Sequence, residues 1–465
     1  MKTTIQKLTL LMALPAIMMV DSCKKPGAET VNESTPPFTV GKAISDTATG
    51  GTAKGTMLSG HTYNISRDLI INKGDTLLIQ SDVTICMSKG ANIVVHGTFI
   101  SLGTADKPNW ITSCSQTRND VPGVDPQSDP AYSGQWGGIN CDTSCYACVV
   151  KWTHLEYAGA AFVNPPLAGQ SAGSNSFVIF FQNPKGILVI EDSWIYGNID
   201  DAVRIAGGKF HIMRNTVEKS GQVGGDVFNA KSGSIGDMAY NLFVGVATNG
   251  TKASNKGGIT PQTNINMYNN TYVNSGYRRA STGRGGSLNY EEGARGEAYN
   301  NLIVNCKFGL RIVNNPVADT MNMHYGYTFN YGDSTSITGQ FYPTGYISKP
   351  QSTDIPLPSA YLPNPYTLGM TYDGSSENGK NNPMFTNFPL PQPTTVQGVA
   401  YVGNYVFTLQ PGSPAIGKGY TGVSPIAAVP VSATFGATEI TLPGVDMGAY
   451  QTNGKGNQHF GVTHK

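Results

Sequence analysis

Short apolar bursts broken by turn residues recur along most of the chain. Tyr63-Asn64-Ile65, Leu69-Ile70-Ile71, Thr76-Leu77-Leu78-Ile79, Val83-Thr84-Ile85-Cys86, Ile93-Val94-Val95 and Thr98-Phe99-Ile100 follow one another, punctuated by Gly74, Asp82, Gly90 and Gly97. Each burst is too short for a helix and is rich in β-branched and aromatic residues, so the pattern predicts strands a few residues long.

Residues 264–314 show how those strands are organised. Tyr240-Asn241-Leu242-Phe243-Val244, Tyr268-Asn269-Asn270-Thr271-Tyr272-Val273 and Tyr299-Asn300-Asn301-Leu302-Ile303-Val304 are variants of one phrase, spaced by 268 − 240 = 28 and 299 − 268 = 31 residues. A second phrase alternates with it: Ala202-Val203-Arg204-Ile205, Asp226-Val227-Phe228-Asn229, Gly258-Ile259-Thr260-Pro261, Ser287-Leu288-Asn289-Tyr290 and Gly309-Leu310-Arg311-Ile312. A period of this size signals stacked units. Each unit reads as one coil of a parallel β-solenoid, with strands about 4.8 Å apart. Asparagines at the turns would then exchange amide hydrogen bonds up the stack. Val203, Val227, Ile259, Leu288 and Leu310 are expected to form an inward column. Because side chains alternate across a strand, Arg204, Phe228, Thr260, Asn289 and Arg311 would form an outward ridge; a one-residue slip would invert that assignment. A β-sandwich or propeller with coincidental Tyr-Asn phrases is the alternative.

Composition agrees with many turns and little helix. Glycine accounts for 56 of 465 residues and charged residues for 13%, against usual values near 7% and 25%. Net charge is +1 and no basic stripe is present, which argues against nucleic acid as the main partner. Residues 8–20 form an apolar run preceded by Lys2 and Lys7 and followed by Val20-Asp21-Ser22-Cys23. It is too short to span a bilayer comfortably and reads as an export signal. It resembles a bacterial lipoprotein signal of the Bacteroidetes type, although Asp21 departs from that pattern. The resemblance implies lipidation of Cys23 and anchoring at the outer membrane or cell surface; an ordinary secretory signal is the alternative. The expected organisation is a signal over 1–22, a tether over 23–55, a β-helix over 56–335 and a loop-rich C-terminal segment over 336–465 packing on the last coils.

Gly90-Ala91-Asn92-Ile93-Val94-Val95-His96-Gly97-Thr98-Phe99, then Trp110-Ile111-Thr112, Gln135-Trp136-Gly137-Gly138-Ile139 and His154-Leu155-Glu156-Tyr157-Ala158-Gly159, resemble the right-handed parallel β-helix superfamily, the pectate-lyase-like group. The resemblance covers roughly residues 57–330. It implies an all-β, right-handed parallel β-helix with an N-terminal cap and an irregular C-terminal cap segment. Residues 116–134 and 162–176 read as loops thrown out between coils. Phrases around Ser413-Pro414 and Asp446 resemble the closing segment of secreted β-helices and are read as structural.

The same resemblance implies that a long sugar polymer is held along or beside an exposed sheet. Two constellations could serve. One is Arg278, Arg279, Arg284, Glu291, Glu292, Arg295 and Glu297; guanidinium forks bind carboxylates at two points, as an acidic polysaccharide would require. The other is Asp200, Asp201 and Asp226, with Glu291 or Glu292 two coils further on, which could hold Ca²⁺ through oxygen ligands. Cleavage by β-elimination needs a base, for which Arg204, Lys231, Arg295 and Arg311 are candidates. A glycosidase would need two spaced carboxylates, but the Gly-His-Gly that accompanies paired aspartates in polygalacturonases is absent around His211. Against all of these stands a plainer reading: Arg and Glu pair with each other, Asp caps turns, and the protein is a non-enzymatic adhesin or envelope scaffold. With Cys23 set aside, Cys86, Cys114, Cys141, Cys145, Cys148 and Cys306 remain. They favour disulfides in an exported chain, with a zinc site at Cys114, Cys141, Cys145 and Cys148 as the other option.

Overall fold

The computed structural model describes residues 39–118, 124–343, 346, 372–390 and 405–459. The expected export signal, Cys23 and the first part of the expected tether lie outside the described residues.

From Gly51 to Tyr331 the chain winds through successive coils, and each coil gives one short strand to each of three parallel ten-stranded sheets. This is a parallel β-helix. The first sheet runs from Gly51–Thr52 to Arg311–Ile312, the second from Gly55–Met57 to Met323–Gly326, and the third from Thr62–Ile65 to Phe329–Tyr331. The strands are short because turn residues bound them. One continuous apolar core fills the coil interior, from Met57 and Tyr63 through Phe99, Phe181 and Phe210 to Leu310 and Met323.

The register of the first sheet corrects the expected inward column. Ile179, Val203, Phe228, Thr251 and Leu288 stand in line and are fully buried. Val227 and Leu310 are buried too, but each precedes its strand by one residue. Ile259 is 43% exposed. The coil expected to contain it instead uses Thr251–Ser254, whose inward residues Thr251 and Ala253 are small. The interior is already occupied there: the Thr251 hydroxyl lies 2.8 Å from the Tyr272 hydroxyl, and a Cβ on Gly250 would come within 2.6 Å of the Tyr272 ring and 2.8 Å of Phe243. The outward ridge therefore reads Phe180, Arg204, Asn229, Lys252, Asn289 and Arg311. Arg204, Asn289 and Arg311 are where the spacing put them. Phe228 points inward, and Thr260 lies between strands.

At the start of the third sheet's strands the asparagines form a ladder. Asn215 Nδ2 donates to Asn241 Oδ1, Asn241 Nδ2 to Asn270 Oδ1, and Asn270 Nδ2 to Asn301 Oδ1, at 3.0, 3.0 and 3.1 Å. Beside it Tyr240, Tyr268 and Tyr299 are buried together. Among the described residues, 113–118, 124–137 and 159–178 lie between the coil strands, in the regions where loops over 116–134 and 162–176 are expected.

Cys86 and Cys114 form a disulfide between adjacent coils, which removes Cys114 from any four-thiolate zinc site. Cys141, Cys145, Cys148 and Cys306 are free and buried.

The C-terminal segment reaches well beyond the last coils. Phe385, Phe407 and Met447 pack on the outer face of the third sheet. Val429 and Ala437 pack on Leu78, Ile100 and Val149 of the second sheet, near the start of the stack. Polar contacts fix this strap: Ile426 and Ala427 amides donate to Asp237 at 2.9 Å, and the Thr438 amide donates to Glu191 at 2.9 Å. Asp446 is structural, accepting from the Gly417 and Thr452 amides at 2.8 and 2.7 Å. The strap lies on the second and third sheets, and the ridge of the first sheet carries the polar cleft described next.

Candidate functional site

The ridge positions Arg204, Asn229 and Lys252 come from consecutive coils and so stand one above another, about 4.8 Å apart. The next outward position on the Phe228–Lys231 strand is Lys231. Turns leading into these strands add Asp200, Asp201, Gly225, Asp226 and Thr248. A loop from the later coils brings Arg279 and Arg284 over the top. Together these residues line a cavity of about 260 Å³.

Two carboxylates form its inner wall and are fully occupied. Asp201 Oδ2 accepts from Arg204 Nε and Nη2 at 2.8 and 2.7 Å and from Asn229 Nδ2 at 2.8 Å, while its Oδ1 accepts from the Asp226 amide at 2.7 Å. Asp226 Oδ1 accepts from Asn249 Nδ2 at 2.7 Å, and Lys252 Nζ lies 3.5 Å from Asp226 Oδ2. Burial raises the Asp226 pKa, but Lys252 and Asn249 outweigh it and hold the group below the usual carboxylate range. Lys252 Nζ also pairs with Glu291 at 2.8 Å. These two acids raise the Lys252 pKa against the opposing effect of burial.

Three charged groups remain open to the cavity. Asp200, Lys231 and Arg279 are half-buried, and among the described residues their charged atoms make no hydrogen bond or ion pair. Burial and then the neighbouring Arg204 and Lys252 charges push the Lys231 ammonium below its ordinary pKa. The Arg204 guanidinium lies 4.1 Å over the Phe177 ring with a third of its side chain exposed. Arg284 is exposed, 3.9 Å from Glu291.

The other expected residues fall elsewhere. Arg278 donates to the backbone carbonyls of Ser220, Gly221 and Gly245 at 2.6–3.0 Å and lies over Tyr132, so it fastens the loop. Arg311 is buried, donates to Gly283 O at 2.7 Å and stacks near Phe308 and Tyr346. Glu292 accepts from Ser254 Oγ. Arg295 bridges to Asn264 at the edge of the second sheet, and Glu297 lies on that sheet. Sequence reasoning missed Asn229 and Lys252. The successive spacings from Arg204 to Asn229 and from Asn229 to Lys252, 229 − 204 = 25 and 252 − 229 = 23 residues, match coil lengths and were the available signal.

Calcium does not fit the aspartate group. The oxygens of Asp201 and Asp226 face Arg204, Asn229, Asn249 and Lys252, all donors that repel or exclude a cation. Among the described residues no group of three or more His, Cys, Asp or Glu is arranged to hold a metal ion. The lining carries five cationic side chains against three carboxylates, which suits an anionic ligand.

Compared with known proteins, the chain matches no family model, no curated protein and no solved structure.

Proposed function

We propose that the cleft binds an acidic polysaccharide, in a protein of the pectate-lyase-like group anchored at the outer membrane or cell surface through Cys23. The observation that carries this reading is the pair of cations, Arg279 and Lys231, beside Asp200, all three without a side-chain partner among the described residues. A buried or half-buried charge with no internal partner is costly to keep, and a carboxylated sugar supplies what each group lacks. The uronate carboxylate meets the Arg279 fork, and ring hydroxyls donate to Asp200.

The lowered pKa of Lys231 favours a second reading of the same cleft, cleavage by β-elimination. Lys231, as the free amine, takes the proton from the carbon beside the carboxylate. Arg279 and Arg204 neutralise that carboxylate, the electron pair forms a ring double bond, and the glycosidic oxygen departs as a hydroxyl, protonated by the Lys231 ammonium. Arg311 and Arg295 are poorly suited as the base, being buried in packing or outside the cleft.

Titration of the protein with pectate, alginate and glycosaminoglycans, with and without Ca²⁺, tests both. Binding independent of Ca²⁺ supports the first reading, and new ultraviolet absorbance from unsaturated ends supports the second. Silence on every polymer favours a non-enzymatic adhesin or envelope scaffold.

A further inference from the structure

The ridge of the first sheet is accessible over only part of its length. On the N-terminal side, the loop over residues 159–178 closes on itself, with Phe162 N to Ser174 O and Gly173 N to Phe162 O at 3.0 and 2.8 Å. From this loop Gln170 Nε2 donates to Asn140 Oδ1 at 2.7 Å, and Asn140, the ridge residue before Phe180, is fully buried. On the C-terminal side, the loop over residues 276–286 folds across the later coils. Arg278 fastens its start and Arg311 with Tyr346 fastens Gly283 O, both at 2.7 Å. Beneath it Asn289 and Arg311 are 1% and 2% exposed.

Between these two covers lie Phe180, Arg204, Asn229 and Lys252, a run of three coil steps, or about 14 Å, of which Phe180 and Arg204 are half-buried and Asn229 and Lys252 are buried at the floor of the cavity. The cavity of about 260 Å³ falls just below the range of about 300–1,000 Å³ typical of small-molecule pockets. The space suits one or two sugar rings. A long chain laid along the stacking direction would collide with a loop at either end.

Resting on the polysaccharide reading above, we infer that the cleft takes the terminus of an acidic sugar chain, or a free acidic sugar, and not the interior of a chain running along the coils. The chemistry of the open groups agrees. Asp200 is a bare acceptor in a lining otherwise dominated by donors, and a terminal ring exposes an additional hydroxyl that an internal ring has lost to its glycosidic bond.

Calorimetric titration with glucuronate, galacturonate and their defined oligomers, expressed per mole of chains, tests this. Affinity should rise from monosaccharide to disaccharide and then stay level. Cutting a fixed mass of polymer into shorter pieces should raise binding capacity in proportion to the number of ends. Asp200→Asn should weaken the monosaccharide about tenfold, with unchanged thermal stability showing that the variant is folded. Affinity per chain that keeps climbing with length, or capacity that follows mass, overturns the inference while leaving the polysaccharide reading intact. Failure to bind any acidic sugar overturns that reading and this inference with it.

Discussion

Asn241 and Asn270 share one oxygen: Asn270 Oδ1 accepts from Asn241 Nδ2 at 3.0 Å and from the Asn241 backbone amide at 3.1 Å. The same side chain donates to Met238 O and Asn301 Oδ1 at 3.0 and 3.1 Å. All of these atoms are buried, so removing one amide strands its neighbours. Asn270→Ala should destabilise the protein by about 2–3 kcal/mol, read from the shift in urea midpoint. Asn270→Asp keeps the acceptor but loses both donations and should be no better tolerated.

Glu191 ties the strap to the coils. It accepts from the Thr438 amide and lies 3.1 Å from His211 and 3.4 Å from Lys151. Burial opposes its ionisation, but His211, then Lys151 and Thr438, outweigh it and lower the pKa from 4.5 to about 2. A carboxylate depressed on folding contributes stability that is complete above its unfolded pKa and fades as pH falls through the folded one. Protection of the strap from proteolysis should therefore hold from pH 7 to roughly pH 4.5 and decline towards pH 2 on this account. Glu191→Gln should remove roughly 3 kcal/mol at neutral pH and flatten that part of the profile.

Arg278 and Arg279 are neighbours with different expected phenotypes. Arg278→Ala removes the donors to three carbonyls and should lower stability by about 2–4 kcal/mol. Lysine should rescue little, because one ammonium cannot reproduce the planar fork. Arg279→Ala should leave stability within about 0.5 kcal/mol and weaken acidic-sugar binding about tenfold or more. Thermal melts and titrations on the two variants separate the roles.

If the chain cleaves its ligand, Lys231→Met should abolish the ultraviolet signal while a weakened sugar binding persists through Arg279. The base works as the free amine, and its pKa is depressed. In the wild type the rate should rise with pH and level off below the ordinary lysine value of about 10.4.

The Tyr-Asn phrases made the coil legible in sequence because they sit where the geometry repeats most strictly, at the start of the third sheet's strands. The first sheet was harder to read. Its Thr251–Ser254 strand has no bulky apolar residue, since Tyr272 and Phe243 already fill the space it faces. Ile259, the nearest apolar signal, lies in the turn that follows. That displacement hid Lys252 and Asn229. It left Asp200, Asp201, Asp226, Arg204, Lys231, Arg279 and Arg284 recognisable, because they cluster in sequence near well-marked coils. Which arginine fastens a loop and which faces the cavity depends on carbonyls contributed by distant turns, and no local pattern encodes that.

The Lys151 ammonium reaches the Ser432 carbonyl 281 residues further along the chain. During synthesis, the early rungs must wait with a greasy flank uncovered until Val429 and Ala437 have followed them out of the ribosome. A stop codon between Tyr331 and Val429 would spare every rung and still leave that flank bare, so such alleles should yield protein that clumps instead of protein that is merely shorter.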